Sequence, residues 1–139
     1  MKHSDIRTPL AKVRGLGSAH DGTGHFIWQR ITAIALIPLS LWFVWSILHL
    51  TATGNTPDAV VHWFSHGFNA TAIAVLLIAM FYHAKLGLQV VIEDYVHRVS
   101  IKFISLLANM FIMYGMAALS LVAVLKLHLQ YVPQMGVAG

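Results

Sequence analysis

The sequence predicts an all-α integral membrane protein with three transmembrane helices, its N-terminus cytoplasmic and its C-terminus periplasmic. Three observations predict this class. Of the 139 residues, 58% are hydrophobic and only 10% are charged, with a mean hydropathy of +0.71; a soluble domain carries roughly a quarter charged residues. Three apolar runs are each long enough to cross a ~30 Å hydrocarbon layer as a helix of about 20 residues. Lysines and arginines sit mainly at the ends of those runs, so the formal charge of +4 reads as orientation signals and not as a nucleic-acid surface. Strands are excluded, because a three-stranded sheet in lipid leaves unpaired backbone edges.

Residues 1–25, "MKHSDIRTPLAKVRGLGSAHDGTGH", have no apolar core. They read as a cytoplasmic N-terminal segment and not as a cleavable signal. Asp5, Asp21 and the glycines argue against a mitochondrial transit peptide, which makes a bacterial inner membrane the simpler location. "GLGSAHDGTG" (15–24) follows no strand and breaks the G-x-G-x-x-G spacing, so it is not a phosphate loop. The first helix is expected over about 26–50, on "ITAIALIPLSLWFVWSILHL", with Pro38 removing one backbone donor inside it. The second is expected over about 65–95 and the third over about 101–127, with 51–64 as a loop. No repeat or linker divides the chain, so 1–139 reads as one membrane-anchoring domain.

Lys2, Arg7, Lys12, Arg14 and Arg30 precede the first apolar run (31–50), and Arg98 and Lys102 lie between the second (68–92) and third (103–125). The loop from Thr51 to Phe64 has no lysine or arginine. The positive-inside rule therefore puts the N-terminus and the 93–102 segment in the cytoplasm. Trp42, Trp45 and Trp63 then fall near the outer interface, where amphipathic rings are favoured.

Hydropathy does not explain "MFYHAKLGLQVVIEDYVHR" (80–98). An ionisable side chain at membrane depth costs a few kcal/mol, so it faces protein, a cofactor or water. His83 lies well inside its run. A neutral imidazole has one lone-pair nitrogen, which suits haem iron, and one N–H, which needs its own acceptor. It also suits an interhelical hydrogen bond, and the residues alone leave both readings open. Gly87, one turn on, lets a flat macrocycle or another helix approach closely.

Asp94 is eleven residues beyond His83, within about 20° of it around the helix and about 16 Å along the axis. With Tyr95 it puts a carboxylate and a phenol at the cytoplasmic rim. A quinone headgroup needs donors for its carbonyl oxygens and a proton route there. Plainer readings stand beside this one: Asp94 pairing with Arg98 and Glu93 with His97 at i+4, and Tyr95 as an interfacial anchor. Lys85 points nearly opposite His83, towards an acidic partner, a propionate, or the interface by snorkelling. The chain has no cysteine, which excludes disulfides, thiolate metal sites and Fe–S ligation by its own residues.

The stretch "HAKLGLQVVIEDYVH" (83–97) resembles the H-x(3)-G-x(6)-DY pattern of the hydrophobic membrane anchor subunit of succinate dehydrogenase, part of respiratory complex II. "RITAIALIPL" from Arg30 is similar to the start of that subunit's first helix, and the three-helix layout extends the resemblance over essentially the whole chain. The resemblance implies a non-flavin subunit of succinate:ubiquinone oxidoreductase, inactive as an isolated chain, that serves the tricarboxylic acid cycle and aerobic electron transport. It implies that His83 is an axial ligand of haem b, and that Asp94 and Tyr95 belong to the ubiquinone-reduction site. Arg30 matches an arginine near the haem propionates, with His25 set beside it on looser spacing. Lys85 stands where relatives commonly carry an apolar or aromatic residue. The implied partners are a second membrane anchor (cytochrome b556-type) subunit, an iron–sulfur subunit, a flavoprotein subunit and the bilayer, with no nucleic acid.

A bis-histidine haem needs two imidazoles at similar depth on different helices. His49, His62, His66 and His128 fall at the outer side and His3, His20, His25 and His97 at the cytoplasmic side, so the second ligand is expected from another chain. The alternative function, of a different class, is a non-redox scaffold or small transporter subunit whose histidine serves packing or proton relay.

Overall fold

In the computed structural model, residues 19–54 and 56–135 are described, with side chains described over 23–54 and 56–130. They form four helices: α1 (Ala19–Thr53), α2 (Pro57–Ser65), α3 (Gly67–Tyr95) and α4 (Val99–Met135). Three of them are long and apolar enough to cross a membrane, over Thr23–Thr53, Gly67–Tyr95 and Val99–Gln130. No strand occurs among the described residues. Lys2, Arg7, Lys12 and Arg14, on which much of the expected orientation rests, lie outside the described residues, as does His3.

The first and last helices outrun the expected bounds of 26–50 and 101–127. Hydropathy marks where a helix meets lipid, whereas its hydrogen-bond ladder runs on until the backbone is diverted. For α1 the diversion is Gly54, whose φ of +129° lies where side chains are strained. Pro38 does not end α1, which continues through it.

The expected loop at 51–64 contains α2. The Thr56 hydroxyl accepts the Ala59 backbone N–H at 3.2 Å, Pro57 occupies the first turn, and Asp58 places a carboxylate near the helix N-terminus. The triplet Thr-Pro-Asp is a start signal that a search for long apolar runs passes over.

α3 is the central element: it packs against both α1 and α4, while α2 lies against α4 and α3. At one end, Ala70, Ile73, Leu76 and Val124 form a small core beneath Trp42, Trp63 and Phe64. Trp42 stacks on Trp63 with centroids 5.7 Å apart and meets Phe68 edge-on. His128 and Asn69 bind the backbone carbonyls of Phe64 and Trp63 at 2.9 and 2.8 Å, tying α2 to the long helices. Gly67, Ala70 and Ala74 of α3 share a groove with Leu121 and Val124 of α4. Small residues there let two helices approach where lipid supplies no hydrophobic drive. Large side chains such as Ile34, Leu41, Trp45 and Leu119 face outward, as lipid- or partner-facing positions do.

Candidate functional site in the central helix

α3 presents different chemistry to its two neighbours. Towards α1, His83 Nδ1 lies 3.0 Å from Thr32 Oγ1. Thr32 is only 7% exposed, and its hydroxyl also reaches the carbonyl oxygens of Trp28 at 2.8 Å and Gln29 at 3.1 Å. One turn further along α3, Gly87 faces Gln29 of α1; a Cβ at Gly87 would sit 3.6 Å from Gln29 Nε2. This is ordinary contact, so a neighbouring helix occupies the approach that glycine opens. His25, Gln29 and Thr32 stand at i, i+4 and i+7 and share a face of α1. His25 Nε2 and Gln29 Oε1 are enclosed by protein with no hydrogen-bond partner among the described residues. An apolar groove of about 410 Å³, lined by Trp28, Thr32, Val75, Ile78, Ala79 and Tyr82, opens on the same seam.

Towards α4, the Lys85 ammonium donates to the Tyr114 hydroxyl at 3.2 Å and lies 5.6 and 5.1 Å from the ring centroids of Tyr82 and Tyr114. Asn109, 5% exposed, donates from Nδ2 to the Lys85 carbonyl at 3.0 Å. The expectation that Lys85 points away from His83 therefore holds, and its company is aromatic rather than acidic.

At the far end of α3, Asp94 and Tyr95 are exposed, Tyr95 by 78%. Val96 takes an extended conformation (φ −94°, ψ 103°) and ends the helix. The i+4 pairs Asp94–Arg98 and Glu93–His97 considered from sequence therefore do not form, because residues 97 and 98 no longer continue the helical face. Glu93 instead accepts from Gln89 Nε2 at 2.8 Å, and its carbonyl accepts Lys102 Nζ at 2.7 Å. His97 Nδ1 lies 3.0 Å from the Tyr95 carbonyl. Among the described residues Asp94 has no hydrogen-bond or ion-pair partner, so its carboxylate is free for another chain, a ligand or water.

His83, Asp94 and Tyr95 thus share one unbroken helix, and His25 lies on the α1 face that meets it. Arg30 does not join that face: it is exposed, with its guanidinium 4.9 Å from the centroid of the Phe26 ring. Sequence reasoning missed Thr32 and Gln29. Thr32 is a lone hydroxyl in the first turns of an apolar run, and a threonine there commonly bonds a carbonyl of the preceding turn. Its second contact, 51 residues away, leaves no local trace. Among the described residues no group of three or more His, Asp or Glu is arranged to hold a metal ion.

The chain matches the family described as "Succinate dehydrogenase/Fumarate reductase transmembrane subunit" over residues 4–124. It is 39% identical over 93 residues to a succinate dehydrogenase hydrophobic membrane anchor subunit of Rickettsia bellii (strain RML369-C), covering 66% of this chain and 72% of that protein. The same description is carried by a Rickettsia conorii (strain ATCC VR-613 / Malish 7) protein, 34% identical over 66% of this chain and 72% of its own. It is also carried by a Paracoccus denitrificans protein, 33% identical over 63% and 67%. No solved structure matches the chain significantly. With a match running through all three spanning helices, the chain belongs to the succinate dehydrogenase/fumarate reductase transmembrane subunit family.

Proposed function

We propose that this chain, as a membrane anchor subunit of succinate dehydrogenase in a bacterial inner membrane, supplies His83 as a residue that would hold the iron of haem b and contributes Asp94 and Tyr95 to the site where ubiquinone is reduced. The observation that carries this reading is the state of His83: Nδ1 is tied to Thr32, while Nε2 has no partner among the described residues. An imidazole held by one nitrogen with the other unclaimed is the form in which histidine serves iron.

The residues around it fit the group. The groove beside Thr32 is apolar, as a macrocycle requires, and the orphaned His25 Nε2 and Gln29 Oε1 offer polar sites on the same face. His25 would meet polar substituents of the ring, whereas Arg30, turned off that face with its guanidinium beside Phe26, would meet them only through a change of rotamer. A haem there supplies a one-electron store that tunes or buffers transfer to quinone. The second imidazole comes from the second membrane anchor, and the flavin and iron–sulfur centres from the other two subunits.

At the rim, the Tyr95 phenol donates a hydrogen bond to a quinone carbonyl oxygen. Asp94 accepts and releases protons from the aqueous side as that oxygen becomes a hydroxyl. Each is exposed at a helix end, where a headgroup can reach it without unfolding a seam. Family membership favours this reading over a non-redox scaffold or transporter.

The purified complex provides the test. His83→Ala is expected to remove or reshape the reduced-minus-oxidised b-type spectrum while succinate oxidation by a soluble acceptor persists; an unchanged spectrum rejects the ligand. Tyr95→Phe is expected to slow succinate-driven ubiquinone reduction about a hundredfold, the low end for loss of one positioned donor. Wild-type turnover in that variant rejects the donor role.

A further inference from the structure

We infer that Thr32 is the positioning residue that holds the His83 imidazole in the tautomer with its proton on Nδ1, so that Nε2 presents its lone pair. This rests on the proposal that His83 is a haem ligand, and goes beyond it by assigning the control of that ligand to a residue on a different helix.

The protons around one oxygen decide the tautomer. Thr32 Oγ1 has three polar neighbours: the Trp28 carbonyl at 2.8 Å, the Gln29 carbonyl at 3.1 Å and His83 Nδ1 at 3.0 Å. A hydroxyl has one proton and two lone pairs, and a carbonyl oxygen can only accept. If the hydroxyl donated to Nδ1, its oxygen would face two carbonyl oxygens at these distances with no proton between them. If it donates to the Trp28 carbonyl, the shortest of the three contacts, its lone pairs are left for the imidazole. Nδ1 must then carry the hydrogen. Nδ1–H donates to Oγ1, Oγ1–H donates to the Trp28 carbonyl, and Nε2 is the bare nitrogen.

Burial makes the arrangement consequential. At 7% exposure, Thr32 has little access to water that could take over either bond, and in a membrane the penalty for an unpaired group is not relieved by solvent. The hydroxyl also sets how strongly His83 binds. An acceptor on the remote N–H raises the basicity of the ligating nitrogen and stabilises the ferric form. A neutral hydroxyl does so more mildly than a carboxylate would, and it fixes the direction of the ring as well. Thr32 touches no reacting atom; it acts through His83.

The experiment uses the assembled complex, with haem b content normalised to flavin and the haem midpoint potential measured by redox titration. Thr32→Val keeps the shape and removes the oxygen; Thr32→Ala removes both; Thr32→Ser keeps the oxygen. Val and Ala are expected to lower the haem-to-flavin ratio and to raise the midpoint potential, because ferric iron loses more than ferrous. A tenfold loss of ferric over ferrous affinity, the low end for an outer-shell partner, reads as about 59 mV for one electron. Ser is expected to restore both quantities to wild type. Wild-type potential and haem content in Val or Ala overturn the inference, and so does a Ser variant displaced as far as Val. His83→Ala in parallel separates the two levels. If it leaves the haem spectrum intact, the ligand assignment itself fails; if it abolishes the spectrum while Thr32→Val changes nothing, only the role of Thr32 fails.

Discussion

Replacing Lys85 by methionine is expected to leave stability almost unchanged, although it removes a charge from the middle of a membrane helix. A lysine near the centre of such a helix costs about 2.5–3.5 kcal/mol on insertion scales. Lys85 lies ten residues from the end of α3 at Tyr95, roughly 15 Å along the axis, well inside the hydrocarbon layer. Against that cost stands the Tyr82 ring, with its centroid 5.6 Å from the ammonium. At this distance and partial burial it is worth about 1 kcal/mol. The hydrogen bond to the Tyr114 hydroxyl, 3.2 Å long, sits at the weak end for a charged donor and contributes about 1.5 kcal/mol; the ammonium meets Tyr114 at this hydroxyl edge, so its ring adds no separate contribution. The favourable contacts sum to about 2.5 kcal/mol and nearly cancel the insertion cost.

Methionine keeps the chain length and the apolar contact with both rings, so Lys85→Met should fall within about 1 kcal/mol of wild type, the residue left by that cancellation. Tyr114→Phe keeps the ring and deletes the hydroxyl, and should cost about 1.5 kcal/mol while Lys85 is present. In the Lys85→Met background the same change should cost nothing, giving a coupling of about 1.5 kcal/mol in a double-mutant cycle. Unfolding in mixed micelles by titration with a denaturing detergent measures all four free energies. A loss above about 3 kcal/mol for Lys85→Met would refute the balance, since it would mean the charge has a stronger partner than aromatic rings. A coupling of zero would refute the Lys85–Tyr114 contact.

Other outcomes follow from single contacts. Gly54→Ala should destabilise the α1–α2 turn by about 1–3 kcal/mol, because a side chain is strained at φ +129°; the same micelle titration reads it. Thr56→Ala should cost about 1 kcal/mol through loss of the cap on the Ala59 N–H, and should speed amide exchange in α2 before the long helices respond. Ala70→Leu, 8% exposed in the α3–α4 seam, should overpack it by about 1–3 kcal/mol; Ala70→Gly adds no atoms to the seam and should cost only the roughly 1 kcal/mol of a glycine in a helix. Asp94→Cys should react with a membrane-impermeant thiol reagent added from the cytoplasmic side only, and labelling from the periplasm would overturn the orientation expected from the positive-inside rule.

The spanning helices were legible because lipid imposes a one-dimensional rule. Each must hold about 20 apolar residues in a row, and "ITAIALIPLSLWFVWSILHL" or "FISLLANMFIMYGMAALSLVAVL" satisfies it with no reference to the rest of the chain. The same rule misjudged where helices end, since Ala19 and Met135 lie beyond the apolar stretches but still on the hydrogen-bond ladder. It also hid α2, whose nine residues are too few to register as a span and whose signal is a cap and not a run. His83 could be singled out because an imidazole in such a stretch is expensive, and the opposition of His83 and Lys85 follows from 100° per residue. The pairs Asp94–Arg98 and Glu93–His97 failed because helical spacing applies only while the helix lasts, and it stops at Tyr95.

Spans, their number and the helix that carries the unusual side chains thus came from local composition, because insertion energy is a sum over consecutive residues. Which nitrogen of His83 is engaged, and that Lys85 meets Tyr114, were decided only when α3 settled between α1 and α4. Thr32 and His83 are 51 residues apart and Lys85 and Tyr114 are 29 apart. A hydrogen bond across a helix seam depends on how two rods are rotated against each other, and no property of either stretch alone encodes that angle.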